Sequence, residues 1–287
     1  MHATVIDYIP LWAVFILTVT IVMFAVEAGF LLGKSHKGSH ADTSTVSTMV
    51  GAALGLLAFM LAFTFGMAGS RYEVRKELVI DDANAIRTTY LRADLLKDPE
   101  RAITRSLLRE YIDMRVEACI HPEIQNMDLL VRIEKIQEQL WANAMKASQK
   151  EPGSNTIPLF IQSLNDSLDT HIKRISIAYT NRIPGTIWMV LYSMLFFSMA
   201  ALGYYSGITV SRSRLIAIVL AVAFSSILLL IDDLDRPQQG FIKISQQAMI
   251  RVRNKIDADD KTGNIVKTAV DAKQSSARSG DTEKEKD

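Results

Sequence analysis

From Met49 to Ser70 the sequence reads MVGAALGLLAFMLAFTFGMAGS, a stretch without a single charged residue. A helix rises about 1.5 Å per residue, so a segment of this length crosses a hydrocarbon core of about 30 Å. Three further apolar blocks have comparable lengths, at about Ile9–Leu32, Thr186–Ile208 and Leu215–Ile231. The pattern predicts an integral membrane protein with four transmembrane helices.

The first apolar block has the position of a secretory signal peptide but lacks the features of one. No basic segment precedes it, and no small-residue cleavage site occurs before Lys34. It is also longer than the apolar core of a signal peptide, which has about 7–15 residues. We therefore expect this block to be retained as the first membrane helix.

Charge, cysteine content and motifs narrow the function. The 287 residues carry a formal net charge of +1, which gives no reason to expect a nucleic acid partner. The single cysteine, Cys119, can form neither an intrachain disulfide nor a thiolate metal site alone. No Gly-rich phosphate loop, HExxH or GxSxG motif occurs, so the sequence predicts no enzyme and no catalytic residue.

Basic residues beside the apolar blocks predict the orientation. Four crossings place both termini and residues 71–182 on one side of the membrane. Near the membrane, that side carries nine basic residues and the two loops on the other side carry four. Because Lys and Arg are enriched in cytoplasmic loops, the termini and the central domain are predicted to be cytoplasmic. The nine are Arg71, Arg75, Lys76, Arg87, Lys173, Arg174, Arg182, Arg236 and Lys243; the four are Lys34, Lys37, Arg212 and Arg214.

The blocks divide the chain into five segments. Residues 1–70 hold the first two transmembrane helices, residues 71–182 form a cytoplasmic helical domain, and residues 183–231 hold the last two transmembrane helices. Residues 232–256 form a cytoplasmic post-membrane segment that ends in a basic amphipathic part. Residues 257–287 have too few large apolar side chains to form a core, which predicts a disordered tail.

The central domain has helical periodicity nearly throughout, without alternating strand patterns. Breaks are predicted at Asp98-Pro99, at His121-Pro122 and at residues 151–155, because proline and glycine disfavour helix there. Two apolar stripes with spacings of three and four predict amphipathic helices that face a core or a partner. The fold class is therefore an all-α membrane protein with a cytoplasmic helical bundle between its second and third crossings. The stripes are Leu129, Ile133, Ile136, Leu140 and Ala144, and Ile161, Leu164, Leu168, Ile172, Ile175 and Tyr179.

Glu27 interrupts the first apolar block near one end. Ionisable residues inside a membrane are costly and often functional, which allows a pore-lining or proton-carrying role. Glu27 also lies close to Lys34, so its carboxylate would alternatively reach the headgroup level or pair with that lysine. The sequence leaves both roles open.

Glycines recur four residues apart in two of the blocks. The second block contains Gly51 and Gly55, and the third contains Gly203 and Gly207. This spacing of small residues lets helix backbones approach closely. The two pairs predict a tightly packed helix bundle.

Phe59 and Phe63 are also four residues apart, so they share one face of the second membrane helix. Lipid contact or ordinary packing would account for both. The functional alternative is a hydrophobic constriction that gates a pore by dewetting.

These phenylalanines belong to motifs that resemble the bestrophin family. The run from Phe59 to Phe63, followed by Ser70-Arg71-Tyr72, resembles the second transmembrane helix of bestrophin anion channels. Bestrophin-like bacterial membrane proteins of unknown function are more closely similar, over about residues 20–255. The motifs shared with them are Glu27-Ala28-Gly29-Phe30, Ala83-Asn84-Ala85-Ile86, Tyr90-Leu91-Arg92-Ala93-Asp94 and Asp233-Leu234-Asp235-Arg236-Pro237.

The resemblance implies an oligomeric ion channel of the bacterial inner membrane, pentameric with cytoplasmic termini, that conducts anions such as chloride. Phe59 and Phe63 match the residues that form the pore neck of bestrophins. Gly55, one turn earlier, stands where bestrophins place another apolar residue, and this departure argues against a neck of the same length. The alternative function is a non-conducting membrane scaffold or signalling protein whose cytoplasmic domain binds a partner.

A further expectation concerns Asp232, Asp233 and Asp235. Animal bestrophins bind calcium with an acidic cluster just after the last helix, and carboxylates are suitable calcium ligands. The Pro-Phe-Gly lead-in and the longer acidic run of those channels are absent here. We expect instead a turn in which an aspartate caps the next helix and pairs with Arg236. No cofactor is expected, and a calcium ion at these aspartates is the alternative.

Overall fold

Helices make up the secondary structure of the described chain. The structure, a computed structural model, describes residues 9–36, 43–120, 127–209, 214–236 and 240–259, and these residues contain no strand. The all-α fold class is confirmed. The helices are α1 (Leu11–Ser35), α2 (Thr43–Arg92), α3 (Glu100–Ile120), α4 (Met127–Lys150), α5 (Ile157–Thr180), α6 (Gly185–Thr209), α7 (Arg214–Asp235) and α8 (247–259).

Four of the described helices, α1, α2, α6 and α7, are long and apolar enough to cross a membrane. The second to fourth predicted apolar blocks lie within α2, α6 and α7, and α1 covers the first block from Leu11 onward. The α2 helix continues far beyond its apolar part, through a stretch that contains neither Gly nor Pro. It ends at Arg92 and is followed by a 3-10 turn at Ala93–Leu95. The break at Asp98-Pro99 then precedes α3, whereas the predicted break at His121-Pro122 lies outside the described residues.

The chain divides into two compact units. The membrane unit consists of Met1–Arg75 and Ile177–Ile244, and the bundle unit of Lys76–Ser176 and Ser245–Asp287. The bundle unit thus contains the polar end of α2, helices α3 and α4, most of α5, and α8. The cytoplasmic location of the bundle unit stays a prediction.

Within the membrane unit, α1 and α6 pack with their backbones in near contact. A Cβ atom added to Gly29 would lie 1.9 Å from the carbonyl oxygen of Ala200, and one added to Gly203 would lie 2.1 Å from a carbonyl oxygen of α1. Gly33 and Gly207 are equally restricted, at 2.2 and 2.5 Å from opposing carbonyl oxygens. Only glycine fits at such separations, so the close packing predicted for the third crossing is confirmed.

The rest of the membrane unit is held by an apolar core with a few polar contacts between helices. Thr18 and Tyr192 share a hydrogen bond of 3.2 Å between α1 and α6, and the Ser198 hydroxyl donates to the Ala53 carbonyl at 3.3 Å. Thr18 also donates to the carbonyl oxygen of Val14 at 2.8 Å, so its bond with Tyr192 is an additional one. Such bonds satisfy hydroxyl groups in an apolar surrounding. The largest fully buried side chains are Leu57, Leu191, Leu195 and Met199.

The bundle unit has a separate core formed by the residues of the predicted α4 stripe and their neighbours. Every member of the stripe from Leu129 to Ala144 is buried, which confirms the prediction for this helix. Tyr90, Tyr111 and Phe160 contribute the largest side chains of this core.

The stripe predicted for α5 is only partly correct. Ile161, Leu164 and Leu168 contact the core, but Ile172 is 61% exposed; the side chain of Tyr179 lies outside the described set. The buried face instead carries polar side chains, including His171. Polar groups can be buried where they are hydrogen-bonded. A prediction based on the spacing of apolar residues alone therefore misses them.

One buried ionic network explains the position of His171. Asp82 on α2 accepts hydrogen bonds from Arg115 on α3 and, at 2.7 Å, from Arg174 on α5. Arg115 also lies 3.2 Å from the Nε2 atom of His171. Burial raises the pKa of the Tyr111 hydroxyl, whose ring contacts the imidazole of His171. Pairing of this kind is what permits charges inside a core.

The post-membrane segment ends in α8, which joins the bundle unit. Met249, Val252 and Ile256 are buried in its core, so the predicted amphipathic segment is a docked helix. The helix extends to residue 259, where Asp257 lies 2.9 Å from Arg109 in an ion pair. The rest of the predicted disordered tail, residues 260–287, lies outside the described residues.

Candidate pore-lining face and aspartate cluster

Opposite faces of α2 differ in burial within the membrane unit. Leu57 and Leu61 are 0% and 3% exposed, whereas Phe59 and Phe63 are 65% and 60% exposed. Successive helical residues are rotated by about 100°, so Phe59 lies nearly opposite Leu57. Gly55 is exposed on the side of Phe59. We call Gly55, Phe59 and Phe63 the phenylalanine face.

The glycines of α2, unlike those of α6, have open space around them. A Cβ atom added to Gly51 or Gly55 would meet nothing within 4 Å, as far as the described residues go. No described helix therefore packs closely against these two glycines, in contrast to the pair at Gly203 and Gly207. The space beside α2 is available to lipid or to another copy of the protein.

Glu27 lies on α1, two turns before the end of that helix at Ser35, and its side chain is exposed. It is on a different helix from the phenylalanine face. Its pore-lining or headgroup-level role stays a prediction.

The three aspartates at the end of α7 are all buried, and each has its own partners. Asp232 accepts hydrogen bonds from Arg236, at 2.8 and 3.2 Å. Arg236 in turn donates to the carbonyl oxygen of Ile9, at 2.9 Å. This ion pair therefore connects the end of α7 to the start of α1 inside the membrane unit.

Asp235 is surrounded by basic side chains. Its carboxylate accepts the backbone N–H of Ile183 at 3.0 Å and lies 3.9 Å from Arg71 and 3.7 Å from Arg182. Arg75 donates to the last two carbonyl oxygens of α7, at 2.9 Å for that of Asp235. Arg75 thus provides donors for carbonyl groups that lack a partner within the helix. Its positive charge also interacts favourably with the negative end of the helix dipole.

Asp233 holds the loop that follows α7. Its two carboxylate oxygens accept the backbone N–H groups of Phe241, at 2.7 Å, and Ile242, at 3.0 Å. Gly240 has φ +150°, and a Cβ atom there would lie 2.1 Å from Asp233 Oδ1. The carboxylate thus fixes a loop that ends before α8, and only glycine fits at position 240.

These contacts leave little room for a metal ion at the aspartates. No group of three or more potential His, Cys, Asp or Glu ligands occurs among the described residues. An arginine side chain or a backbone N–H group occupies at least one oxygen of each carboxylate. Calcium takes about 6–8 oxygen ligands, and these oxygens are already engaged.

The family relationship follows from a match over most of the chain. The model of the bestrophin-like domain matches residues 15–249. The chain belongs to the bestrophin-like family. No curated protein shows significant sequence similarity to this bestrophin-like chain.

Solved structures of bacterial bestrophin homologues have the same fold. A bestrophin homologue from Klebsiella pneumoniae is 14% identical, with a TM-score of 0.58 over 85% of this chain and 96% of that one. A variant from the same organism is 16% identical, with a TM-score of 0.58 over 86% and 97% of the two chains. A further membrane protein is 13% identical, with a TM-score of 0.61 over 86% and 97%. At these identities the similarity shows the fold alone.

Two sets of residues in this bestrophin-like chain were not singled out from the sequence. Gly29 and Gly33 have the same four-residue spacing as the other glycine pairs, so that signal was available. Arg75 and Arg182 were counted only for orientation, and Arg71 was used in addition only as part of the motif shared with bestrophins. Their common partner Asp235 is up to 164 positions away in the sequence, and no local pattern indicates such a contact.

Proposed function

We propose that this protein is the subunit of a homo-oligomeric ion channel in the bacterial inner membrane, and that anions such as chloride are the conducted ions. The observation that carries the proposal is the phenylalanine face of α2. Membership of the bestrophin-like family supports a channel-like function. In the proposed assembly, five copies surround an axis, as the resemblance to bestrophins implies, and each contributes its phenylalanine face to the lumen.

The packing of α2 supports this arrangement. Leu57 and Leu61 already provide the contacts that hold α2 in the membrane unit, so the exposed rings of Phe59 and Phe63 are not needed for the subunit core. A ring of large apolar side chains around a narrow axis disfavours water and so controls ion passage. Gly55, one turn before Phe59, has no side chain and would add no third layer. The constriction would therefore consist of two layers of phenylalanine.

The proposal is tested by ion flux. The purified full-length chain, reconstituted in liposomes, is expected to conduct ions, with a preference for anions under a salt gradient. An intact oligomer that carries no current at any potential would refute the channel.

The orientation can be tested separately with a reporter that is active only in the cytoplasm. We expect activity when it is fused after Ile256 or inserted near Gly153, because basic residues flank the membrane on that side. The same reporter placed within residues 37–43 should be silent. The reverse pattern of activity would contradict the proposed orientation.

We also propose that the aspartate cluster works without calcium. Since Asp232, Asp233 and Asp235 already accept hydrogen bonds from Arg236 or from backbone N–H groups, added calcium gains few new contacts. Calcium and a chelator should leave the melting temperature and the ion flux unchanged. A calcium-dependent rise of several degrees in the melting temperature would show that the cation displaces these partners.

A non-conducting scaffold or signalling protein is the second candidate. Exposed apolar side chains on the bundle unit favour it, among them Val131 at 55%, Leu159 at 45% and Ile172 at 61%. Exposed apolar residues are common singly, so this observation is weaker than the phenylalanine face. The flux measurement separates the two candidates, because a scaffold predicts none.

A further inference from the structure

Arginine side chains cluster at the end of the membrane unit that contains Asp235. Within the described ranges, Arg71 and Arg182 approach the Asp235 carboxylate at 3.9 and 3.7 Å, and Arg75 binds the adjoining carbonyl oxygens. Three guanidinium groups therefore face one carboxylate. Guanidinium groups repel one another, and their desolvation is costly unless enough anionic charge is nearby.

The neighbouring aspartates do not supply that charge. Asp232 is engaged by Arg236 in a two-bond ion pair, and Asp233 is engaged by the backbone N–H groups of the loop after α7. Of the three carboxylates, that of Asp235 is therefore the one that faces Arg71 and Arg182.

Hydrogen-bond donors also remain unused here. In the part of the chain that the structure describes, Arg71 Nη1 and Arg75 Nε are buried and have no hydrogen-bond acceptor. A buried donor without an acceptor is destabilising, and more so when it is charged. The side chains of Arg71 and Arg182 are 18% and 20% exposed, so the site can be reached from outside.

The position of the site along the membrane unit indicates the kind of anion. Arg71 directly follows Ser70, the last residue of the uncharged stretch of α2, and Asp235 follows the apolar block of α7 by one turn. The hydrocarbon core ends at about this depth and phosphate headgroups begin.

We infer that Arg71, Arg75 and Arg182 form a binding site for a phosphate-type oxyanion at the membrane boundary. The planar guanidinium group matches the oxygen geometry of phosphate and forms paired, charge-assisted hydrogen bonds with it. A bound phosphate group would place negative charge beside the three guanidinium groups and accept from the unused donors of Arg71 and Arg75. The phosphate belongs either to an anionic phospholipid or to a free anion.

The experiment has one arm for each source. In the first, the melting temperature of the full-length protein in lipid-free detergent is measured in phosphate and in chloride at equal ionic strength. In the second, the protein is extracted from vesicles of phosphatidylcholine and phosphatidylglycerol. Native mass spectrometry then counts the phosphatidylglycerol molecules that remain bound to it. A rise in melting temperature in phosphate identifies free anions as ligands. Retained phosphatidylglycerol without a phosphate response identifies the lipid headgroup.

The Arg71→Gln, Arg182→Gln double variant should lose either response, with binding about tenfold weaker or worse, because charge-assisted hydrogen bonds are lost. Arg87→Gln is the matched control, since this exposed arginine lies on the same helix α2, and it should respond like the parent. Equal behaviour of the double variant and the parent would overturn the site, as would the absence of any phosphate or lipid response.

Asp235→Asn keeps the test decisive if the double variant fails to fold. Removing the competing carboxylate leaves the arginines without their anionic partner, so phosphate or phosphatidylglycerol should bind more tightly and restore the stability of this variant. A destabilised Asp235→Asn protein that neither ligand restores would show that the arginines have a purely structural role.

Discussion

Replacing Phe59 and Phe63 together with alanine is expected to raise the ion flux of the reconstituted protein by about tenfold, the effect of lowering a barrier by about 1.4 kcal/mol. The substitution widens the proposed constriction and removes the apolar surface that disfavours water there. The side chains are exposed in the subunit, so the subunit fold should tolerate their loss. The measurement is flux per reconstituted oligomer, at equal incorporation of parent and variant.

Leu57 and Leu61 provide the matched control on the same helix. Both are buried in the membrane unit, so alanine at either position should lower stability by about 2–5 kcal/mol without raising the flux. If the phenylalanines instead contact lipid, the double variant has the flux of the parent. That result would remove α2 from the pore.

Gly29→Ala is expected to prevent stable folding of the membrane unit. The added Cβ atom would lie 1.9 Å from the carbonyl oxygen of Ala200 and within 2.9 Å of two more backbone atoms, none of which can move without separating α1 from α6. The cost should exceed the roughly 1–3 kcal/mol of ordinary overpacking. The yield of monodisperse protein after detergent extraction, and its melting temperature, measure the effect.

Gly203→Ala should have the same effect, because its Cβ atom would meet the backbone of α1 from the opposite side at 2.1 Å. Gly51→Ala is the control: nothing described lies within 4 Å of its Cβ position, and alanine favours helix over glycine by up to about 1 kcal/mol. Equal tolerance of all three substitutions would contradict the close contact between α1 and α6.

The number and position of the membrane helices could be predicted because block length alone decides them. An uncharged run such as Met49–Ser70 has no stable place except a bilayer or a large core. The α4 stripe was predicted correctly for a similar reason, since each of its buried members is apolar. The stripe on α5 failed at Ile172 because that helix buries hydrogen-bonded polar groups such as His171 instead.

Contacts between distant parts of the chain could not be predicted. Helical spacing indicates that a glycine pair can accept a close neighbour, but it does not say which helix that neighbour is. The same limit applies to Arg75, whose partners at the end of α7 are about 160 positions away. Aspartates at the end of α7 therefore resembled a calcium cluster in sequence, while their surroundings in the structure are arginines and backbone N–H groups.

The role of the phenylalanine face depends on more than one copy of the chain, so imaging the purified oligomer by electron microscopy tests the central claim most directly. The proposed channel predicts a closed ring of copies around an axial path, with five copies as the resemblance to bestrophins implies. Phe59 and Phe63 of every copy should face that axis. A single copy, or a ring in which both phenylalanines face lipid while another helix surrounds the axis, would contradict the proposed pore.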